Sequence, residues 1–356
     1  MTADDTTVPP DTAAAALHGS YCPKMCTFAC PVTSATGRED AVPWGFHLTV
    51  SDLATARLPL VAEAHDRLTA CSGCLACQVP CAFDQDVPAQ IRDGRAALVA
   101  AGAAPAATIA AVDHHRAGRT PQGAEVLTAP PGDADPTVRV AAGCRDTADD
   151  LAALVEVLRA AGERVDVHVP DGCCGALLAD LGAAPEGAAA GADLPADLPV
   201  VAADPHCLGA WEAAGAEVVD VATHLDEAIR AGRLRLHAEA TVALTWHDPC
   251  VLARGHGVVA APRRVLAAAG YEVVEPELTG TRTGCSGAGL GLDLLDPDAA
   301  DATAVARVAQ LGTSTVATGC ARARDRLAAQ GATVLDLAAA LRPHLATPDR
   351  EPRSDA

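Results

Sequence analysis

Four cysteines crowd into the string CSGCLACQVPC: Cys71, Cys74, Cys77 and Cys81, spaced Cys-x2-Cys-x2-Cys-x3-Cys. A thiolate at every third residue lets a short loop curl round three corners of a [4Fe–4S] cube. The backbone N–H groups of such a loop point at the sulfides, and the fourth cysteine reaches a second cube instead. Gly73 supplies the tight turn. Ala82 stands where a proline usually follows the fourth cysteine. A structural zinc site usually takes two cysteine pairs well separated in sequence, so spacing this dense favours the cube. The partner string is YCPKMCTFACPV, with Cys22, Cys26 and Cys30 before Pro31. Cys26-x3-Cys30-Pro31 matches the tail of a ferredoxin motif. One cluster is therefore expected on Cys71, Cys74, Cys77 and Cys30. A second would draw on Cys22, Cys26 and Cys81, one thiolate short, as a three-iron cluster, with a non-cysteine ligand, or not at all.

A second group of cysteines is spread more thinly. Cys144, Cys173-Cys174-Gly175 and Cys207 form one set; Cys250, Cys285 and Cys320 form another, with Ser286 where the first set has its second adjacent cysteine. Each set converges if every cysteine sits at the carboxyl end of a strand, where ligands of open α/β sheets gather. Gly175 and Gly287 would allow close backbone approach. Isolated cysteines are commonly small buried hydrophobes, but here they are doubled in register.

The elements that position these residues fall into a few blocks. Residues 1–20 read as a disordered acidic tail. Residues 21–115 read as an all-α ferredoxin-type domain, with apolar positions at helical spacing in LTVSDLATARLPLVAEA and after Ile91. Residues 116–136, rich in Pro, Gly and Asp, read as a linker. Thereafter short Val-rich runs alternate with Ala/Leu-rich helices, the beat of α/β units with parallel sheets. VRVAAGC is a strand leading to Cys144, ADDLAALVEVLRAAG a helix stopped at Gly162, and RVDVHV a strand. The pattern repeats: LRAAGERVDV is echoed by LAAAGYEVVE, CCG by CSG, and GAEVVDVATHL by GATVLDLAAAL. Two homologous α/β halves, 137–235 and 236–345, follow from that register, with a tail at 346–356. The fold class is thus α+β and multidomain.

Composition narrows the function. The net charge is −20 and Lys24 is the only lysine, so no cationic face for nucleic acid is expected. No run of about eighteen apolar residues would span a membrane, and the start of the chain reads as no secretory signal. Fourteen cysteines then imply a reducing compartment and metal or redox work rather than disulfides. GAGLGLDL follows a cysteine, not a strand, and reads as a turn rather than a dinucleotide fingerprint.

Other residues carry two readings. His247-Asp248-Pro249 and Asp204-Pro205-His206 flank cysteines; they tune a metal centre or carry protons, or merely cap loops. His114 and His115 read as solvent-exposed, and Trp44 as packing on the first cysteine motif. Trp211 and Trp246 read as core, and Arg254, Arg263 and Arg264 as surface cations.

The strings CTFACPV…GRED…PWG, CSGCLACQVPC, GCCGALLADLG, DPHC, HDPCVLARGHGVVAAPRRVL and GCSGAGLG carry a resemblance over Tyr21 to Leu345. The chain resembles the iron–sulfur oxidoreductases with the cysteine-rich CCG domain: heterodisulfide reductase subunits and the glycolate oxidase and lactate-utilisation iron–sulfur subunits. The resemblance implies a helical domain carrying [4Fe–4S] clusters, followed by two CCG repeats. It implies a cluster on Cys144, Cys173, Cys174 and Cys207, and an incomplete second site on Cys250, Cys285 and Cys320 in which Ser286 is a doubtful ligand. Ala210 and Ala323 stand where the heterodisulfide reductase form has its final cysteines, which brings this chain closer to the glycolate and lactate branch. By resemblance the protein is an electron-transfer subunit. It would take electrons from a flavoprotein dehydrogenase acting on a 2-hydroxy acid and pass them to quinone or another acceptor, with no flavin on this chain. The alternatives are a disulfide or thiol reductase-like catalytic component and a zinc-binding scaffold. A cytoplasmic location is expected, with peripheral attachment at the inner face of the cell membrane left open.

Overall fold

The computed structural model describes residues 7–183, 194–195, 197–237 and 241–346. Six helices come first: α1 (Pro10–Tyr21), α2 (Pro31–Thr36), α3 (Pro43–Ala54), α4 (Ala62–Asp66), α5 (Val87–Ala100) and α6 (Ala106–Arg116). Pro10, Pro31, Pro43 and Pro88 all sit in the first turns of their helices, where the missing N–H costs nothing. The reading of residues 1–20 as a disordered tail is corrected over Pro10–Ser20, and residues 1–6 lie outside the described residues. The acidic start masked an Ala-rich helix that docks on α3, burying Ala16, Gly19 and Ser20. Gly19 makes that docking possible, because a Cβ there would lie 2.4 Å from the His47 ring.

The rest of the chain is built on two four-stranded parallel sheets. The first holds β1 (Val138–Ala141), β2 (Val165–His168), β3 (Val200–Ala202) and β4 (Val218–Asp220) in the order β2-β1-β3-β4. The second holds β5 (Val242–Trp246), β6 (Tyr271–Val273), β7 (Thr315–Thr318) and β8 (Thr333–Asp336) in the order β6-β5-β7-β8. The two orders are the same, and the molecule is α+β with parallel sheets. Between and after the strands run α7 (Ala148–Ala160), α8 (Ala176–Asp180), α9 (Pro205–Ala213), α10 (Val221–Arg230), α11 (Ala260–Ala268), α12 (Leu292–Leu295), α13 (Pro297–Ala309), α14 (Ala321–Ala329) and α15 (Leu337–Leu341). Thr147 and Asp150 close α7 with a capping box. Asp220 and Asp336, equivalent in GAEVVD and GATVLD, both cap the helix that follows.

Packing welds the pieces together. One apolar core runs through both sheets, joining Val140, Leu158 and Leu225 to Leu244, Trp246, Leu266 and Leu341. Each such fully buried aliphatic side chain contributes about 1.5–3 kcal/mol. A second core joins Phe46, Val50, Leu68 and Ile91 of the helical part to Leu290, Leu292 and Ala300 of the second sheet unit. The linker expected at 116–136 has no helix or strand beyond Arg116, yet it is tied down: Asp133 accepts from the Val165 amide at 2.8 Å and pairs with Arg159. Among the described residues no helix is long and apolar enough to cross a membrane.

Candidate metal centre

In the helical part the Cys71–Cys81 segment has no regular secondary structure, and Gly73 and Leu75 turn it with φ of 62° and 59°. The Gly73 amide donates to Cys71 Sγ at 3.4 Å. Cys30, at the N-cap of α2, joins Cys71, Cys74 and Cys77 around one small cavity. Burial, then the Gly73 amide acting against it and the neighbouring thiols, push the Cys71 thiol up to about 12. Burial followed by Cys74, Cys71, Cys30 and Cys26 also raises the Cys77 thiol well above its ordinary value. Cys22, Cys26 and Cys81 line an adjoining cavity of about 130 Å³, and Cys77 borders both. His47 borders the second cavity, its Nδ1 held 2.5 Å from Gln90 Oε1. Lys24 lies over the Trp44 ring at 3.7 Å, so Trp44 packs on this motif.

In the first sheet unit Cys144, Cys173–Cys174 and Cys207 follow the carboxyl ends of β1, β2 and β3. The four thiols interact: Cys174 Sγ lies 2.9 Å from Cys207 Sγ, and a hydrogen bond to Cys173 followed by burial raises Cys144. The Gly175 amide donates to Cys173 Sγ at 3.3 Å, with φ of 86° at that glycine.

In the second unit Cys250, Cys285 and Cys320 follow β5, β6 and β7. The Gly287 amide repeats the Gly175 contact, donating to Cys285 Sγ at 3.2 Å. Ser286 is buried beside it. This set is not isolated from the helical part. Cys285 Sγ lies 3.1 Å from Ser72 Oγ and hydrogen-bonds Cys74, which lowers Cys74 and raises Cys285. Gly289 is why the two turns can meet: a Cβ there would lie 2.2 Å from the Ser72 carbonyl. Cys320 also adjoins the first unit: its thiol and the side chains of Asp204 and His206 lie within 4.8 Å of one another.

Buried cations surround these thiols. Arg322, 2% exposed, stays protonated: burial opposes it, but Cys144, Asp204, Asp180 and Cys207 outweigh burial. Arg254 reaches from the second unit to the Cys74 carbonyl and to the carbonyls of Thr281 and Thr283. Arg263 holds buried Asp248 with two 2.8 Å contacts, and Asp248 also accepts from Trp246 Nε1 and the Gly280 amide. Asp248 thus anchors a loop, and Arg263 is an internal partner rather than a surface cation. His247 accepts from Arg307 Nε at 3.1 Å, and burial followed by Arg307 keeps it neutral. His114 and His115 are half-buried against the segment after α6, not solvent-exposed. Trp211 and Trp246 are fully buried. A largely apolar cavity of about 510 Å³, bordered by Phe28, Val79, Arg254, Cys285, Arg307 and Gln310, opens between the helical part and the second unit.

Sequence reasoning placed the cysteines and the HDP and DPH strings, but not three contacts that join the units. These are Cys74 with Cys285, Cys320 with Asp204 and His206, and Arg322 with the first thiol set. Each links residues far apart in the chain, and no local pattern carries that information.

The thiol spacing discriminates between metals. A tetrahedral zinc ion with bonds of about 2.3 Å needs its sulfurs about 3.8 Å apart. Among the described residues no three thiols come within 4.8 Å of one another, and all fourteen cysteines are free. Cys174 and Cys207 lie closer than that, at 2.9 Å; the set of Cys30, Cys71, Cys74 and Cys77, gathered round one cavity with a backbone amide aimed at sulfur, fits a polynuclear centre better than a single zinc ion.

No family model matches the chain, and no solved structure matches it. Over 74 residues it is 42% identical to a probable membrane-anchored ferredoxin of Chromohalobacter salexigens, covering 21% of this chain and 11% of that protein. Over 93 residues it is 38% identical to one of the subunits of the dihydromethanophenazine:CoB–CoM heterodisulfide reductase of Methanosarcina mazei (26% of this chain, 23% of that one). Over 83 residues it is 37% identical to the EtfAB:quinone oxidoreductase of Syntrophomonas wolfei (23% and 12%). The chain therefore matches less than a quarter of the length of each of these relatives. These partial likenesses point to iron–sulfur oxidoreductases, with a role in electron transfer or reduction.

Proposed function

We propose that this chain is an iron–sulfur electron carrier. The observation that supports it most is the continuity of its thiol sets. Cys77 borders the cavities of both helical sets, Cys285 meets the Cys71–Cys77 turn at Ser72, and Cys320 stands beside the start of α9, which carries Cys207. Cys30, Cys71, Cys74 and Cys77 would hold one [4Fe–4S] cluster. Cys144, Cys173, Cys174 and Cys207 would hold another. The three-thiol sets Cys22, Cys26, Cys81 and Cys250, Cys285, Cys320 are candidates for one more each. Such clusters supply one-electron redox chemistry. The chain's own residues exclude water, aim amides at sulfur, and set charge through Arg95, Arg254 and Arg322.

The name of the Syntrophomonas relative, EtfAB:quinone oxidoreductase, supports a flavoprotein donor and a quinone acceptor, and by resemblance the dehydrogenase would act on a 2-hydroxy acid such as glycolate or lactate. The carrier would work in the cytoplasm or on the inner face of the cell membrane. A second reading, a disulfide reductase, is favoured by the cavity that places Cys285 beside Arg254 and Arg307.

Iron and sulfide analysis of anaerobically purified protein, with an EPR-monitored redox titration, tests the proposal. At least two reducible clusters are expected, and Cys71→Ser should remove one. Zinc with no visible absorption and no EPR signal on reduction would overturn it.

A further inference from the structure

The second sheet unit has three thiols where the first has four, because Ser286 replaces a cysteine. A missing ligand is made good either by a weak donor in place or by a residue from elsewhere in the fold. The residues around Cys320 come from the other unit. Asp204 is the N-cap of α9, accepting from the His206 amide at 2.8 Å, and this turn projects His206 across the junction. The His206 imidazole and the Cys320 thiol lie within 4.8 Å of each other. The other side of the same ring faces the Cys285 turn: a Cβ on Gly289 would sit 3.7 Å from His206 Cε1. β5 lies between β6 and β7 in the sheet, so Cys250 follows the strand between those that lead to Cys285 and Cys320. Among the described residues the ring nitrogens of His206 have no hydrogen-bond partner, unlike those of His47, His224 or His247.

We propose that His206 completes the second-unit site, so that an iron–sulfur cluster is held there by Cys250, Cys285, Cys320 and one imidazole from the first sheet unit. Imidazole is an ordinary iron ligand, and its use beside thiolates raises the potential of an iron–sulfur centre. Asp204, within the same 4.8 Å group, bonds the His206 backbone amide and so fixes the turn that carries the ring. The site is then shared: neither unit holds it alone, and loading it ties the two units together. This rests on the iron–sulfur reading of the chain.

The test uses full-length protein purified anaerobically, as wild type, His206→Ala and His206→Cys, with the wild type also grown on 15N-histidine. Iron and sulfide should fall by one cluster in His206→Ala and return in His206→Cys. Pulsed EPR of the reduced wild type should show a strongly coupled histidine nitrogen that both variants lack, and one reduction potential should move down in His206→Cys. Unchanged iron in His206→Ala with no nitrogen coupling in the wild type would overturn the proposal. So would a zinc ion lost from His206→Ala with iron unchanged, which would make Asp204, His206 and Cys320 a separate mononuclear site. Absence of iron from every form would refute the carrier reading itself, whereas failure at His206 alone leaves the Cys30, Cys71, Cys74 and Cys77 signal in place.

Discussion

Arg95 is the residue whose loss the structure ties most directly to the integrity of the whole molecule. It is fully buried on α5 and has no carboxylate within ion-pair distance among the described residues. Its guanidinium instead donates to carbonyls in all three parts of the fold. These are Leu68 at 3.2 and 2.6 Å and Thr69 at 3.5 Å in the helical part, Asp180 at 2.7 Å in the first sheet unit, and Leu290 at 2.7 Å in the second. Burial pulls it down only to about 10, so it remains charged at neutral pH. Arg95→Met keeps the side chain's bulk, removes the fork and strands these carbonyls. Hydrogen bonds from a charged donor are worth about 1.5–3 kcal/mol each, offset by the guanidinium's own desolvation. A net loss of roughly 3–5 kcal/mol is expected. At about 2 °C per kcal/mol for a chain of this size, that lowers Tm by roughly 6–10 °C. Differential scanning calorimetry of the anaerobic protein is the assay, and the single transition should also split as the units uncouple. Arg95→Lys keeps the charge but cannot span the three acceptors, so it should behave like Met rather than wild type. A single transition within about 2 °C of wild type in Arg95→Met would refute the idea that this guanidinium joins the three parts.

Two further outcomes are expected. Gly289→Ala forces a Cβ against the Ser72 carbonyl; one backbone must move, at a cost of about 1–3 kcal/mol, and Cys74 in the metal-free protein should alkylate faster by mass spectrometry. Burial, then Asp150, pushes Asp336 up to about 7. A carboxyl raised on folding stabilises below its unfolded value and loses that contribution as pH rises through its folded value. Asp336→Asn keeps the cap of α15, so relative to wild type it should gain stability between about pH 4 and 8, by on the order of a kcal/mol or more; a pH-independent difference in Tm would contradict this.

The strands VRVAA and RVDVHV, the α7 helix with its Gly162 stop, and the repeat of GAEVVDVATHL in GATVLDLAAAL could be read from the chain because each is a local pattern. The α1 helix escaped that reading. PDTAAAALHGSY carries a weak amphipathic signal, and its burial depends on His47 passing over Gly19. The cysteine sets were legible as spacing within loops, whereas their joining was not. Arg254, read as a surface cation, spans from the second unit to the Cys74 carbonyl, and His206 meets Cys320 only because two similar units face each other. Non-local pairing of this kind leaves no period in the sequence.

The contact between Ser72 and Cys285 spans 213 residues of chain. At roughly 5–20 residues per second, a ribosome needs about 10–40 s to make that stretch. Through that interval the helical part exists without Leu290, Leu292 and Ala300, which finish its core, and without the turn that covers Cys74. The thiols of Cys71, Cys74 and Cys77 therefore emerge early and are closed over late. Their cover arrives late in synthesis, so the order of translation itself leaves these thiols open before the fold shuts on them.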